Sequence, residues 1–216
     1  MQWWTEIVEA LFPEQCIACD RKGASLCAFC ERTIITRPTM IEDWLVALFE
    51  YRQPIVNKAI KDLKYRHHRG ISDYFGNALY REFFSPLSRK PEDAEDIVFV
   101  PIPGSIEGNT RKGYNHAAEI ALGIVAAAKA AGLHMTAELD VLTKVCCSGK
   151  QARTSGRGAR ERNVQGVFAV EHPERIKGKH VVIIDDVVTT GETMRAAKAL
   201  LLKAGAKKVI GIAVAH

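Results

Sequence analysis

The sequence predicts an α/β fold: a central, mostly parallel sheet flanked by helices, with a small cysteine module at its N-terminal end. Three observations carry that prediction. Ile97–Val100, Val167–Val170 and Val181–Ile184 are short runs of apolar residues without polar alternation, the pattern of strands buried on both faces. Segments with helical spacing of apolar residues stand between and beyond these runs. Four cysteines fall before residue 31, ahead of any such pattern. A chain of 216 residues suits one medium domain with a small appendage. The expected division is a cysteine module over 1–40 and an α/β body over 41–216.

Taken in order, Cys16-x-x-Cys19 and Cys27-x-x-Cys30 form two pairs joined by a turn around Asp20 to Gly23. Trp44, Leu45, Leu48 and Phe49 read as an apolar segment joining module to body. Ile55, Ala59, Ile60 and Leu63 share a helical face, and Asp73 to Phe84 continues helically with Phe75, Ala78, Leu79 and Phe83 inward. Pro86 and Pro91 bracket a loop. The strand Ile97–Val100 runs directly into Pro101-Ile102-Pro103-Gly104-Ser105, a turn that presents backbone amides at the end of the sheet. Arg111-Lys112-Gly113-Tyr114-Asn115-His116 opens a helix striped by Ala117, Ile120, Ala121 and Ile124, which stops before Gly132. Residues 144–165 are basic and glycine-bearing, as a mobile lid closing on an anionic ligand would be. After the strands at 167–170 and 181–184, Met194, Ala197, Leu201 and Ala204 mark a helix ended by Gly205. Lys207 to Val214 supplies a last strand.

Net charge is +5, unevenly spread: residues 1–50 hold four Lys/Arg against eight Asp/Glu, and 51–216 hold 26 against 17. Basic residues concentrate at 51–70 (Arg52, Lys58, Lys61, Lys64, Arg66, Arg69) and at 144–165 (Lys144, Lys150, Arg153, Arg157, Arg160, Arg162). Such clusters favour a phosphorylated small ligand, nucleic acid or simply a solvated face. No apolar run approaches the ~20 residues that span a bilayer. The opening Met1-Gln-Trp-Trp-Thr-Glu has neither the basic start nor the apolar run of a secretory signal, so a cytoplasmic location is expected and no membrane insertion.

The richest segment is Val181-Val-Ile-Ile-Asp185-Asp186-Val187-Val188-Thr189-Thr190-Gly191-Glu192-Thr193. Two carboxylates stand where a buried strand ends, the edge at which open α/β sheets bind ligands. A Thr/Gly turn and a helix start follow. Free amides, hydroxyls and the positive end of the helix would take a phosphate, and the carboxylates would accept hydrogen bonds from a sugar diol. Ordinary helix capping by Asp and Thr is the plainer alternative. The paired C-x-x-C motifs point two thiolates per turn at one metal. In a cytosolic chain they read as a four-sulfur structural zinc site, with Cys16, Cys19, Cys27 and Cys30 as ligands. Cys146 and Cys147 have no matching pair.

The order of these motifs, with Leu63-Lys64-Tyr65-Arg66, Val100-Pro101-Ile102-Pro103, Arg111 to His116, Arg153-Thr154, and Arg160 to Val164 with Gly166-Val167-Phe168, resembles the ComF family of competence proteins along nearly the whole chain. The resemblance implies a zinc ribbon joined to a type I phosphoribosyltransferase fold and a role in DNA uptake for natural transformation, alongside a competence helicase. A homodimer is a further expectation. By the same resemblance, phosphoribosyl pyrophosphate (PRPP) with Mg²⁺ lies on Asp185 to Thr193, with its pyrophosphate near Pro101, Ile102 and Pro103. Lys144, Lys150, Arg153, Arg157 and Arg160 are candidates for stabilising departing charge. The acceptor that would make the chain a phosphoribosyltransferase enzyme is not identified. A non-enzymatic reading places single-stranded DNA on Lys64, Tyr65, Arg66 and Arg69, and on Arg111 and Lys112 beside Tyr114, where cations alternate with aromatic rings.

Overall fold

A computed structural model of the chain describes residues 14–66, 69–89, 94–104, 115–145, 161–162 and 168–216. Residues 105–114, 146–160 and 163–167 lie outside these, and with them Arg111, Lys112, Tyr114, Lys150, Arg153, Arg157 and Arg160.

The apolar runs become strands of one six-stranded sheet. A short helix, α1 (Ala28–Glu31), precedes β1 (Thr39–Glu42) and β2 (Leu45–Phe49); α2 (Pro54–Arg66) and α3 (Arg69–Leu79) lead to β3 (Ile97–Pro101). Next come α4 (His116–Ala130), β4 (Thr136–Ala137), β5 (Leu142–Lys144), β6 (Glu161–Arg162), β7 (Phe168–Val170), β8 (His180–Val187), α5 (Glu192–Lys203) and β9 (Lys208–Ala215). The sheet order is β1-β2-β9-β8-β3-β4, parallel throughout except for the antiparallel edge strand β1.

Alternation along β8 explains the two-layer cover. Val182 and Ile184 face a core shared with Leu63 of α2, Phe75 of α3 and Ile120 of α4. Val181 and Ile183 face the opposite core with Met194, Ala197 and Leu201 of α5. A side-chain period of two on a central strand requires apolar residues at every position, which is why the run shows no alternation. On the first face, α3 and α4 cross with almost no space between backbones. A Cβ built on Gly76 would stand 2.6 Å from the backbone carbon of Gly123.

Four readings change. Trp44 to Phe49 is no linker: Leu45–Phe49 is a strand of the main sheet, parallel to β9 with Leu45 opposite Gly211. Val56, not singled out by the spacing, is fully buried on α2, while Ile55 packs partly buried against the same core. The helix read through Phe84 ends as α at Leu79 and widens to a π-helix over Tyr80–Phe84. A wider turn shifts the side-chain phase, so Phe84 is buried as well, while Phe83, expected inward, packs partly buried against the same core. Finally, the basic stretch 144–165 is not one loop. Lys144 closes β5, and Glu161–Arg162 pairs with β7, so its ends join a three-stranded antiparallel sheet of order β5-β7-β6.

The described part of the cysteine module is fused to the body. Cys16, Ile17, Leu26 and Cys30 belong to the same buried cluster as Phe75 and Phe99. No helix among the described residues is long and apolar enough to cross a membrane.

Candidate functional site

β8 delivers Asp185 and Asp186 to the C-terminal edge of the sheet, where they enter a cleft of about 390 Å³. The Asp186 backbone N–H donates to Asp185 Oδ1 at 2.8 Å, fixing the first carboxylate against its neighbour's main chain. Burial and the adjacent Asp186 charge raise the Asp185 carboxyl to about 7, against the pull of that hydrogen bond and of Lys64 and Lys144. Asp186 is itself buried and meets the Lys64 ammonium at 3.1 Å. One carboxylate is thus charge-paired while the other carries a proton near neutrality. The pair can accept from hydroxyls, and in its ionised form it is a hard oxygen donor set suited to Mg²⁺ bridging through ligand or water.

After β8 the chain turns through Gly191, whose φ of +77° lies in the left-handed region that favours glycine, and starts α5 at Glu192. Gly191 offers no side-chain cap, so the first amides of α5 are left without a capping side chain, and Thr193 in its first turn lines the cleft. The loop is held from behind. Arg195 Nη2 donates to the Thr190 carbonyl at 2.8 Å and its Nε donates to Glu42 Oε1 at 2.6 Å. Trp44 Nε1–H donates to Glu42 Oε2 at 2.7 Å, and the Lys198 ammonium lies 4.1 Å above the Trp44 ring. The Trp44 hydrogen bond, opposed by partial burial and aided by Arg195, keeps the Glu42 carboxyl below its ordinary range. Glu42, Trp44 and Arg195 escaped the sequence reading because they lie far apart in the chain and carry no motif.

The opposite wall is built by Ile102, Pro103 and Gly104 after β3, by Asn115 and His116 at the start of α4, and by Lys144 at the end of β5. Ile102 N–H donates to the Ile184 carbonyl at 2.9 Å, extending the ladder past the strand and setting the turn. Asn115 caps α4 by accepting from the Ala118 amide at 3.2 Å. The structure therefore brings Asp185, Asp186, Val187, Thr193, Ile102, Pro103 and Lys144 around one cleft, whereas Pro101 is buried in the sheet. Val188, Thr189 and Thr190 face a second cavity next to it.

Two residues expected to carry single-stranded DNA also line this cleft. Lys64 and Tyr65, from the end of α2, line it, Lys64 through its ion pair and Tyr65 with 80% of its surface exposed. Arg66 turns away to Asp62 at 3.4 Å, and Arg69 is exposed at the start of α3. The sequence could have signalled Lys64, since it follows the apolar stripe of a helix that points at the same sheet edge.

The four cysteines meet as their spacing predicts: all four Sγ atoms lie within 4.8 Å of one another. A tetrahedral zinc with Zn–S bonds of about 2.3 Å places its sulfurs ~3.8 Å apart, and Cys19 and Cys27 already stand at 3.7 Å. Asp20, at φ +58°, turns the first pair, and Cys27 and Cys30 sit one turn apart at the start of α1. Burial pushes the Cys16 thiol up, but hydrogen bonds at the Cys27, Ala18 and Cys19 amides outweigh it and bring it to about 6. Burial and the neighbouring sulfurs push Cys30 up to about 12. Four thiolates this close need a cation between them, so the donor set fits a metal such as zinc.

Residues 108–216 match the phosphoribosyl transferase domain family. The chain is 28% identical over 165 residues to the DNA utilization protein YhgH of Escherichia coli K12, covering 76% of this chain and 68% of that protein. It is 31% identical over 169 residues to the competence protein ComFC of Streptococcus pneumoniae R6, covering 76% and 64%. Among solved structures it is similar to an adenine phosphoribosyltransferase of Thermoanaerobacter pseudethanolicus, with 16% identity, 84% and 82% coverage and a TM-score of 0.38. It is also similar to the allosteric regulatory enzyme of purine biosynthesis, with 24% identity, 66% and 25% coverage and a TM-score of 0.40. With the acid pair, the glycine-turned helix start and the parallel sheet all in place, the chain belongs to the phosphoribosyl transferase domain family.

Proposed function

We propose that this protein binds PRPP with Mg²⁺ in the acid-pair cleft and serves DNA uptake for natural transformation in the cytoplasm, next to a competence helicase. The observation that carries the reading is the placement of Asp185 and Asp186 opposite Pro103, Gly104 and Lys144, with the open start of α5 at one end. The ribose hydroxyls would donate to the carboxylates, the 5′-phosphate would take the α5 amides and Thr193, and pyrophosphate would lie along Ile102 to Gly104 beside Lys144. Mg²⁺ held mainly by ligand oxygens would offset the charge of the diphosphate. Catalysis at such a centre is a matter of position and charge. The cleft holds the sugar still while cations face the leaving group. In the Cys16, Cys19, Cys27 and Cys30 cluster zinc would act structurally, since four protein ligands leave no open position.

The names of the two relatives support the DNA-related role, and the non-enzymatic alternative keeps the same pocket as a PRPP sensor on a DNA-handling module. Calorimetric titration of zinc-loaded protein with PRPP and Mg²⁺ tests the reading. Saturable binding that disappears in Asp185→Asn/Asp186→Asn is expected. Absence of binding to folded wild-type protein would refute it.

A further inference from the structure

The cysteine module presses on the body at the first turn of α3. A Cβ built on Gly70 would stand 1.8 Å from Ser25 Oγ and 2.9 Å from Ser25 Cβ, so any side chain there would force Ser25 aside. Ser25 is buried, and its Oγ donates to Glu14 Oε2 at 2.9 Å. Its main chain belongs to the loop that carries the thiols. Ile17 N–H donates to the Ser25 carbonyl at 2.9 Å, Gly23 N–H to the Glu14 carbonyl at 2.7 Å and Cys16 N–H to the Arg21 carbonyl at 2.8 Å. The Cys27 amide donates to Cys16 Sγ at 3.4 Å, tying one cysteine pair to the other. Ser25 therefore sits inside the loop that a four-thiolate centre would close, and touches the helix on which that loop rests.

α3 has little room to absorb a shift. Gly76 lies against the Gly123 backbone, and Ser72 Oγ donates to the Arg69 carbonyl at 2.8 Å, closing the first turn. Only residues 67 and 68 separate α3 from α2, whose last turn carries Leu63 and Lys64. Leu63 and Ile71 share one buried core with Cys16, Ile17 and Leu26. Close-packed interiors pass strain on rather than take it up. A displacement at Gly70 is thus handed to the end of α2, where Lys64 meets Asp186 at 3.1 Å. With Lys64 in place, the acid pair has a cation beside it; with Lys64 withdrawn, two carboxyls would face an anionic ligand with less charge to offset them.

We infer that the cysteine module positions Lys64 for the acid pair, acting through the Ser25–Gly70 contact and the α2–α3 corner. Ser25 and Gly70 are positioning residues that touch no ligand. The inference rests on the PRPP reading, because PRPP reports the state of the cleft. Without a cation among them, Cys16, Cys19, Cys27 and Cys30 no longer close the loop. Metal and PRPP affinities are then linked, and each must change the other by the same factor.

The test is calorimetric titration of the full chain with PRPP and Mg²⁺, zinc-loaded and zinc-stripped, at a temperature where circular dichroism finds the chain folded. Stripping should weaken PRPP by about fivefold or more, and saturating PRPP should tighten zinc against a competing chelator by the same factor. Gly70→Ala, with its zinc retained, should weaken PRPP similarly, and Gly70→Ala/Ser25→Gly, which clears the space, should restore it. In a Lys64→Ala background, Gly70→Ala should cost PRPP nothing further. Zinc affinity indifferent to PRPP in the wild type would overturn the inference while the PRPP reading stands. So would PRPP affinity unchanged in folded zinc-free protein or in Gly70→Ala, or a Gly70→Ala loss undiminished in the Lys64→Ala background. Failure of zinc-loaded wild type to bind PRPP would remove that reading and this inference with it.

Discussion

Replacing Asp185 by Asn should make the protein more stable while costing it its ligand. The structure holds this carboxyl at about 7, against 3.8 for an ordinary aspartate, because it is buried beside Asp186. At about 1.4 kcal/mol per pH unit, ionising it in the fold costs up to about 4 kcal/mol relative to the unfolded chain. The cleft is open to water and Lys64 and Lys144 respond to the charge, so about 2 kcal/mol is the working figure. The sign follows from proton binding. Between about pH 4 and 7 the folded state holds the proton more tightly than the unfolded state, so wild-type stability falls as pH rises through that window and then levels. Asparagine removes the charge and keeps Oδ1 as an acceptor for the Asp186 amide. At pH 8 the variant should melt about 4–8 °C above wild type, and the gain should shrink steadily toward pH 4. Paired thermal melts of zinc-loaded wild type and Asp185→Asn across this range decide it. A variant no more stable at pH 8, or one whose gain is the same at every pH, would refute the assignment of a strained, protonatable carboxyl at this position.

Three further outcomes are expected. Metal analysis should find about one zinc per chain held by four thiolates, and Cys16→Ser or strong chelation should lower the melting temperature of the whole protein, since Cys16 and Cys30 are part of its main core. Arg195→Ala should free the Thr190 carbonyl and Glu42, weakening PRPP about tenfold, or about 1.4 kcal/mol by titration, with little change in the melt. Gly76→Ala should destabilise by about 1–3 kcal/mol in a denaturant titration despite its better helix propensity, because the new methyl meets the Gly123 backbone rather than a movable side chain.

What could be read from the residues was local. The β8–Gly191–α5 unit announces itself because strand, turn and helix are contiguous and each has its own periodicity. The cysteine pairs do so because their spacing is that of the metal turn. β2 was hidden because its parallel partner stands near the other end of the sequence, and a five-residue apolar run carries no mark of where it pairs. Lys64 looked like part of a basic surface because charge runs are visible in sequence and the carboxylate that captures one member is not. The Glu42–Arg195 brace joins residues on an edge strand and a helix, and such pairs leave no trace in spacing.

The pairing of β2 with β9 also has a consequence for synthesis. Leu45 leaves the ribosome long before the backbone it bonds, around Gly211. Until then one side of β2 is an open ribbon edge, and bringing its partner home demands a long loop closure. The ledge formed by Tyr51, Phe49 and His216 is assembled in that same step. A nascent chain can fold its early helices and gather its thiolates first, but the sheet joining β2 to β8 is complete only once β9 docks between them.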